Sequence, residues 1–251
     1  MGRIHVLEQA DSTNVEMRRR AAEFSCGDAL MARVQTAGRG RGVSPDDATL
    51  PGRRSWRMFP GDLAISFWLV PQRRDCASVS LSSSLAVLDT LRVFGIEGQC
   101  KWPNDVLVRG RKICGILAEY VPGPRAGVIV GIGINVAAGA SELGTLDRAA
   151  TSMRLEVPGE LPSAEEVAEV LSRCLFRRFE DWNAGGFSCQ AEEWYGCCIH
   201  RGGEVAVIQR GGELIGRTEG VSDDGRLILM TSDGRRIFLC SGDVERVRVR
   251  T

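Results

Sequence analysis

The distribution of apolar and polar residues changes near residue 200 of the 251-residue chain. Before that point, continuous apolar runs predict buried strands, and apolar residues spaced three or four positions apart predict helices. The predicted strands are residues 29–34, 63–70, 106–108, 113–120 and 127–136. The predicted helices are residues 15–27, 75–94, 163–182 and 191–198. Strands and helices that follow one another without regular alternation indicate the α+β class.

Local signals define two helix starts and one turn. Thr13 with Glu16, and Ser163 with Glu166, have the spacing of a capping box, in which each side chain bonds the other residue's backbone N–H. The short turn at 109–111 predicts an antiparallel hairpin between the strands on either side of it. This hairpin would bring Lys112 back towards the start of the strand at Asp105.

Beyond His200, apolar residues alternate with polar ones, as is typical of strands that bury one face. Asp-Gly pairs at 224–225 and 233–234 predict tight turns between the later strands. We therefore predict two domains. Residues 1–199 would form a mixed or antiparallel sheet flanked by helices, and residues 200–251 a small β-barrel.

Composition excludes several classes of protein. The chain has 32 basic and 32 acidic residues, whereas a non-specific nucleic-acid binder needs an excess of basic charge. An apolar share of 43% excludes a disordered chain. The longest apolar run, residues 63–70, is too short to cross a membrane, and the first residues lack the apolar segment of a signal peptide. We expect a cytoplasmic protein that does not bind membranes.

The rare residue types are also informative. Nine cysteines, an odd number without a Cys-x-x-Cys pair, predict small buried side chains in a reducing compartment and no metal site. Because His5 and His200 are the two histidines of the sequence, a Ser-His-Asp triad is disfavoured. Two of the 32 basic residues are lysines, Lys101 and Lys112. A planar guanidinium does not replace a compact ammonium group, so the two lysines indicate a function that needs ammonium groups. The alternative is that they lie near each other by chance.

Three segments have the composition of a ligand site. The Gly-Arg-Gly-Arg-Gly loop at 38–42 offers backbone N–H and guanidinium groups to an anion, although flexible loops and RNA-binding tracts share this composition. Lys-Trp-Pro-Asn-Asp at 101–105 enters a strand, and the alternative is a proline turn anchored by Trp102. Gly131 and Gly133, inside a strand, indicate close approach of a ligand or plain packing.

Taken in order, five segments of this chain resemble biotin protein ligases. They are Asp-Ser-Thr-Asn at 11–14, Gln-Thr-Ala-Gly-Arg-Gly-Arg-Gly at 35–42, Lys-Trp-Pro-Asn-Asp at 101–105, Arg-Lys-Ile-Cys-Gly-Ile-Leu-Ala-Glu at 111–119 and Gly-Ile-Gly-Ile-Asn-Val at 131–136. The resemblance covers residues 5–140. The last fifty residues are similar to the SH3-like C-terminal domain of that family.

The resemblance implies a two-step reaction. Biotin and ATP, with Mg²⁺, would give biotinyl-5′-AMP and pyrophosphate, and a lysine of a biotin carboxyl carrier protein would then attack the adenylate. Neither step uses an enzyme nucleophile. The protein must hold two anions together and stabilise the charge that develops on the α-phosphate, which requires preorganised cationic and N–H groups.

The resemblance also implies roles for fifteen residues. Those matching biotin-binding positions are Ser12, Thr13, Asn14, Gln35, Arg39, Gly40, Arg41, Lys112 and Gly115. Those matching ATP- or adenylate-binding positions are Arg39, Arg41, Lys101, Asn104, Lys112, Gly131, Gly133 and Asn135. The expected catalytic residues are Lys112, Arg39 and Asp105. Lys112 would lie between the biotin carboxylate and the α-phosphate, and Thr13 has helix capping as its alternative role.

The chain departs from the family pattern around its arginine loop. One arginine is absent, and the tryptophan that would pack on the adenylate, Trp56, follows only after an insertion at 43–55. Ordering a loop costs roughly 1–2 kcal/mol per residue, so we expect residues 38–55 to be mobile without ligand and ordered with the adenylate.

The remaining expectations concern partners and rival functions. Only ten residues precede Asp11, so we expect no N-terminal DNA-binding domain and no DNA partner. A homodimer is compatible with the sequence. The rival functions are a lipoate or octanoate ligase of the same fold and a non-catalytic biotin-sensing or RNA-binding module.

Overall fold

The computed structural model describes residues 2–40, 55–73, 76–209 and 212–246. Within them, seven strands form the larger sheet: β1 (Ile4–Ala10), β2 (Ala29–Gln35), β3 (Leu63–Leu69), β4 (Gln99–Lys101), β5 (Asp105–Val108), β6 (Arg111–Val121) and β7 (Gly127–Ile134). The helices are α1 (Thr13–Arg19), α2 (Val79–Val93), α3 (Ala140–Leu143), α4 (Met153–Glu156), α5 (Ala164–Gly185) and α6 (Ser188–Gly196), with a 3₁₀ turn at Ala21–Glu23.

The larger sheet is mixed. Its strand order is β1-β2-β3-β7-β6-β5-β4. β1 and β2 are parallel, and the other neighbouring strands are antiparallel. Parallel neighbours need a crossover connection, which α1 supplies between β1 and β2. The predicted mixed sheet flanked by helices is confirmed.

The two faces of this sheet are covered unequally. Because side chains alternate along a strand, Ile65 and Phe67 of β3 point to one face, where they join the main core with α2 and α5. Trp68 points to the other face and packs with Met17 and Phe24 next to α1. Since α1 has only seven residues, it covers one end of that face. The uncovered remainder borders the cavity described below.

A second, antiparallel sheet follows. It consists of β8 (Glu204–Gln209), β9 (Gly212–Val221), β10 (Leu227–Met230), β11 (Arg236–Leu239) and β12 (Asp243–Arg246), in the order β11-β10-β9-β8-β12. It packs against the larger part of the molecule through specific bonds. The buried Trp102 donates from Nε1 to the carbonyl of Gly225 at 3.0 Å, and the Tyr195 hydroxyl donates to the carbonyl of Thr218 at 2.7 Å. The role of Trp102 as an anchor is therefore observed.

The predicted hairpin is present between β5 and β6. Arg109 and Gly110 both have positive φ, 50° and 75°, as a type I′ turn requires. The register pairs Asp105 with Gly115. The turn therefore aligns two of the candidate site residues.

One predicted capping box is confirmed and the other is wrong. Ser163 Oγ accepts the Glu166 N–H at 3.2 Å, and Glu166 Oε2 accepts the Ser163 N–H at 2.8 Å. In contrast, α1 begins at Thr13 itself after Ser12, and no side chain caps it. Thr13 fails as a cap because its hydroxyl lies against Gln35, 3.3 Å away, in the cavity wall.

Several boundaries differ from the prediction. The first helix ends at Arg19 instead of continuing to residue 27, and α2 begins at Val79. The prediction that the cysteines are buried is wrong for most of them. All nine are free thiols, of which three are buried (Cys100, Cys114 and Cys198) and three are exposed (Cys26, Cys189 and Cys240). Within the described residues, none of the helices has the length and apolar content needed to cross a membrane.

Candidate active site

A cavity of about 680 Å³ lies where the N-terminus of α1 meets β3, β6 and β7. Fourteen of the fifteen candidate residues line it: Ser12, Thr13, Asn14, Gln35, Arg39, Gly40, Lys101, Asn104, Asp105, Lys112, Gly115, Gly131, Gly133 and Asn135. The fifteenth, Arg41, and most of the loop expected to be mobile, residues 38–55, lie outside the described residues. The fold therefore brings segments that are far apart in the chain together in the wall of one cavity.

One end of the cavity carries neutral hydrogen-bonding groups. Gln35 Oε1 accepts the backbone N–H of Thr13 at 2.9 Å. Ser66 Oγ lies 2.8 Å from Thr13 Oγ1 and 2.6 Å from Asn14 Oδ1, and its single proton serves one of them at a time. Asn14 Nδ2 donates to Glu119 Oε2 at 2.8 Å. Protein atoms thus occupy both ends of the Asn14 amide, which makes Asn14 a support for this end of the cavity.

The interior glycines of β7 make room for side chains that border the cavity. A Cβ on Gly131 would overlap the amide of Asn14, with Cγ 2.8 Å away. A Cβ on Gly133 would lie 2.6 Å from Cζ2 of Trp56. The indole of Trp56 therefore lies directly against the sheet. Close packing of side chains explains both glycines.

Trp56 reaches the cavity despite the insertion that precedes it. Arg39 and Ser55 form an antiparallel bridge, and the backbone N–H of Trp56 donates to the carbonyl of Gly38 at 3.0 Å. The chain returns at Ser55 to the position beside Arg39. The length of the insertion therefore does not change where the tryptophan lies.

The other end of the cavity is cationic. Lys112 Nζ donates to Asp105 Oδ1 at 2.6 Å, next to Gly115, where a Cβ would be 3.0 Å from Nζ. Arg39 lies between the two ends, because its Nη1 is 3.3 Å from Glu119 Oε1, on the carboxylate that also accepts from Asn14, and both charged side chains are about nine-tenths buried. Among the described lining residues, five cations (Arg39, Arg57, Lys101, Lys112 and Arg148) exceed three carboxylates (Asp105, Asp147 and Asp243). This excess of positive charge suits an anionic ligand.

Two of the candidate residues hold backbone segments together. Asn104 Nδ2 donates to the carbonyl of Ile116 at 2.7 Å, and Asn135 Nδ2 donates to the carbonyl of Thr151 at 2.9 Å. Each amide therefore uses a donor on the protein, and both fix the shape of the cationic end.

Cys114 also lies on the wall, but it is a poor nucleophile. Burial raises the pKa of its thiol well above the usual range, and the nearby Lys112 only partly offsets this effect. A neutral thiol is weakly reactive, so the cavity offers no activated cysteine at this position. Neither histidine is among the described residues that line the cavity.

Several residues of the site were missed by sequence reasoning. Ser66 had a usable signal, because it is a lone polar residue in an apolar strand. Glu119 also had one, because it follows Gly115 and Leu117 at alternate positions of β6. The segment at 145–150 carries no sequence pattern that would assign it to the site. It lines the cavity together with Asp243 and Val244 of the second sheet, and these contacts depend on tertiary packing.

Comparisons with known proteins identify the family of this chain. Residues 6–135 match the Biotin/lipoate A/B protein ligase family, and residues 200–247 match the Biotin protein ligase C terminal domain. A biotin–[acetyl-CoA-carboxylase] ligase of Paracoccus denitrificans is 37% identical over 187 residues, which are 71% of this chain and 72% of that protein. The chain belongs to the biotin protein ligase family. Like other biotin protein ligases, it is a ligase enzyme with an α+β fold and an SH3-like C-terminal sheet.

Two further proteins show how far the similarity extends. The bifunctional ligase/repressor BirA of Escherichia coli is 36% identical over 141 residues, and the match spans 54% of this chain but only 41% of that protein. The structure of a biotin protein ligase from Aquifex aeolicus in complex with biotin and ATP has a TM-score of 0.79 and 25% identity, covering 98% of this chain and 100% of that one. The resemblance, fold class and enzyme type expected from the sequence are confirmed.

Proposed function

We propose that the protein attaches biotin to a lysine of a biotin carboxyl carrier protein, with ATP as the second substrate and biotinyl-5′-AMP as the intermediate. The observation that carries this proposal is one cavity that joins a neutral hydrogen-bonding end to a cationic end. The hydroxyl and amide groups of Ser12, Thr13 and Gln35 suit the neutral ureido ring of biotin. The cationic end suits the biotin carboxylate and the α-phosphate.

In the first step, a carboxylate oxygen of biotin forms a bond to the α-phosphorus, and pyrophosphate leaves with the electrons of the broken P–O bond. Lys112 and Arg39 neutralise the two anions, which would otherwise repel each other. Asp105 orients the ammonium of Lys112 through their 2.6 Å bond. The indole of Trp56, fixed against Gly133, packs on the adenylate.

In the second step, the neutral amine of the acceptor lysine attacks the acyl carbon of the adenylate. The bond from that carbon to the phosphate oxygen breaks, AMP leaves with the bonding electrons, and the nitrogen releases one proton to solvent as the amide forms. The step needs no enzyme nucleophile, in keeping with the buried, neutral thiol of Cys114. The enzyme contributes by holding the adenylate in place and keeping water from it.

Magnesium enters this proposal with the nucleotide. The described residues contain no group of three His, Cys, Asp or Glu side chains that could hold a metal ion. Mg²⁺ often binds through substrate phosphates with only one or two protein carboxylates, so the cavity fits a metal that accompanies ATP. Its contribution is to neutralise phosphate charge.

The substrate test compares biotin with its rivals. Purified protein is incubated with MgATP and biotin, lipoate or octanoate, and both pyrophosphate and acylated carrier protein are measured. We expect turnover with biotin, because a dithiolane ring or an alkyl chain cannot hydrogen-bond to the hydroxyl and amide groups at this end of the cavity. Turnover with lipoate alone would show that the protein is a lipoate ligase. Salt-sensitive RNA binding without any turnover would exclude both the biotin ligase and the lipoate ligase.

Lys112→Ala tests the proposed chemistry. Loss of a preorganised charge donor costs about 2.7–4 kcal/mol in comparable sites, so adenylation should slow by roughly a hundredfold or more. Lys112→Arg should not restore the rate, because its planar guanidinium has a different shape and reach. Arg20→Ala is the control, because it removes a partly exposed cation that pairs with Glu23 and does not line the cavity, and its rate of adenylation should be normal. Near-normal pyrophosphate release by Lys112→Ala would contradict the assignment.

The remaining expectations about the setting of this reaction stay predictions. They are a cytoplasmic location, a carrier protein as the macromolecular partner, no DNA partner, and a homodimer as a compatible state.

A further inference from the structure

A buried carboxylate lies behind the cationic end of the cavity. The side chain of Glu156, the last residue of α4, is only 1% exposed. Its Oε1 accepts hydrogen bonds from Arg111 Nη2 and from Thr151 Oγ1, both at 2.6 Å. Its Oε2 lies 3.3 Å from Arg109 Nη1. Glu156 does not line the cavity, so it cannot touch a substrate bound there.

The partners of Glu156 flank the backbone of Lys112 on both sides. Arg111 precedes Lys112 in β6. Thr151 donates its backbone N–H to the carbonyl of Lys112 at 2.8 Å, and the N–H of Lys112 donates to the carbonyl of Ala149 at 3.0 Å. Lys112 is thereby paired, as in a short parallel ladder, with the segment that Glu156 anchors.

Stability alone is a weak reason for this arrangement. Desolvating the Glu156 carboxylate is costly, and the two arginines that pair with it are largely exposed, so these ion pairs add little to stability. A charged group with fixed hydrogen bonds does, however, define position and direction, because each bond requires a particular geometry. The backbone that it fixes here is that of Lys112.

We propose that Glu156 is a positioning residue for adenylate formation. It clamps Arg111 and Thr151, which hold the Lys112 backbone, so that the ammonium group is directed between the two reacting anions. This inference rests on the function proposed above for Lys112.

Glu156→Gln tests the clamp. Glutamine keeps the size of the side chain and accepts from Thr151, but it lacks the charge that holds Arg111. Small displacements of catalytic groups are costly, so we expect kcat for pyrophosphate release to fall about tenfold or more. KM for biotin should stay near its original value, because the Thr13–Gln35 end shares no contact with Glu156.

The control for a purely structural effect is Asp89→Asn. Asp89 is also a largely buried carboxylate held by two arginines, Arg177 and Arg178, but it does not line the cavity. This variant should lower thermal stability and leave kcat at 25 °C unchanged. The proposal is supported if both variants lose the same thermal stability and only Glu156→Gln has a lower kcat.

A double variant shows whether Glu156 acts through Lys112. Added to Lys112→Ala, Glu156→Gln should have no further effect on kcat, because the group it positions is gone. An additional loss of the same size as in the wild-type background would overturn the proposal, and so would a normal kcat for Glu156→Gln.

Two results keep this test separate from that of the proposed function. If Lys112→Ala itself turns over normally, the role of Lys112 fails; if only Glu156→Gln is normal, the positioning role fails alone. Should Glu156→Gln not fold, Thr151→Val removes just the hydroxyl that donates to Glu156, and a normal kcat for it would overturn the clamp.

Discussion

At the scale of single residues, the absence of one side chain sets the position of another. Glycine inside a strand weakens the sheet, because the unfolded chain loses more conformational entropy at glycine when it folds and because glycine buries no side chain. Gly133 nevertheless lies in the middle of the sheet, where a Cβ would be 2.6 Å from the Trp56 ring. The cost in strand stability is offset by the placement of an aromatic surface on the cavity wall.

Gly133→Ala should therefore displace Trp56 and weaken nucleotide binding. Trp56 is partly exposed, so its ring can move outward and the fold should survive. Stacking of a base on an aromatic side chain is worth about 1–3 kcal/mol, so the Kd for biotinyl-AMP should rise about tenfold. Isothermal titration calorimetry measures this change directly.

Gly159→Ala provides the matched control for this substitution. A Cβ there meets nothing within 4 Å, so binding should be unaffected. If Gly133→Ala binds as the wild type does, or if Trp56→Ala weakens binding further in the Gly133→Ala background, the proposed placement of the indole on the adenylate is wrong.

At this scale, the structure brings together residues that belong to recognisable motifs of the sequence. Lys112 and Asp105 are conspicuous in the sequence, and the hairpin that joins their strands explains why they meet. Glu119 and Ser66 could be noticed from strand alternation, but their partners could not. Hydrogen bonds such as Asn14 to Glu119 join positions that no local pattern relates.

At the scale of elements, a charged cluster joins three helices. Asp89 of α2 accepts from Arg178 of α5 at 2.8 Å, and Arg178 Nη1 lies 2.6 Å from Glu193 of α6. Burial alone would raise the pKa of Asp89, but the bonds from Arg178 and Arg177 outweigh it and hold the pKa below the ordinary value of 3.8. Asp89 therefore stabilises the folded protein in its ionised form.

Asp89→Asn should lower the free energy of unfolding at pH 7 by about 2 kcal/mol, since hydrogen bonds to a charged group are lost. The pKa of Asp89 is lower in the folded than in the unfolded protein, so its stabilisation is complete above pH 3.8 and is lost as the pH falls further. Urea titrations should show a constant difference between the two proteins from pH 7 to about 5. The difference should narrow towards pH 3.

Glu169→Gln, at an exposed position of α5, is the comparison. It should change stability by less than about 0.5 kcal/mol, with no trend in pH. A difference between wild type and Asp89→Asn that widens on acidification would show that the charge of Asp89 is not what stabilises the helices.

Elements with a long periodic pattern and a cap were predictable, and short or exposed ones were not. The apolar face and the Ser163–Glu166 box define α5 from the sequence alone. β4 has three residues, too few for a period to be visible, and the edge strand β1 has one buried residue among its seven. Such strands form because a neighbouring strand offers hydrogen-bonding groups, which is a property of the assembled sheet.

At the scale of the whole molecule, the second sheet is bound into the first part of the chain. Trp102 reaches across to the carbonyl of Gly225, and Arg148 Nη2 lies 3.8 Å from Asp243 Oδ2 at the cavity. The sequence predicted the fold class and a change of pattern near residue 200. It could not predict these contacts, because they depend on how the two parts dock.

The contacts lead us to expect one cooperative unfolding transition in calorimetry. Trp102→Phe keeps the buried ring but leaves the Gly225 carbonyl without its donor, so it should lower the free energy of unfolding by about 1–3 kcal/mol. Tyr120→Phe, at a residue that is 58% exposed, should be neutral. Two separate transitions in the wild type would show that the sheets unfold independently.

The unequal covering of the larger sheet has an evolutionary consequence. The helices α2 and α5 bury one face, while the proposed chemistry uses the other. Many enzymes trade turnover for robustness because the same side chains serve both. In this protein most of the apolar core and most of the candidate site residues lie on opposite faces of one sheet. Selection for heat resistance can therefore accumulate substitutions beneath the helices while the rate of the reaction is left intact.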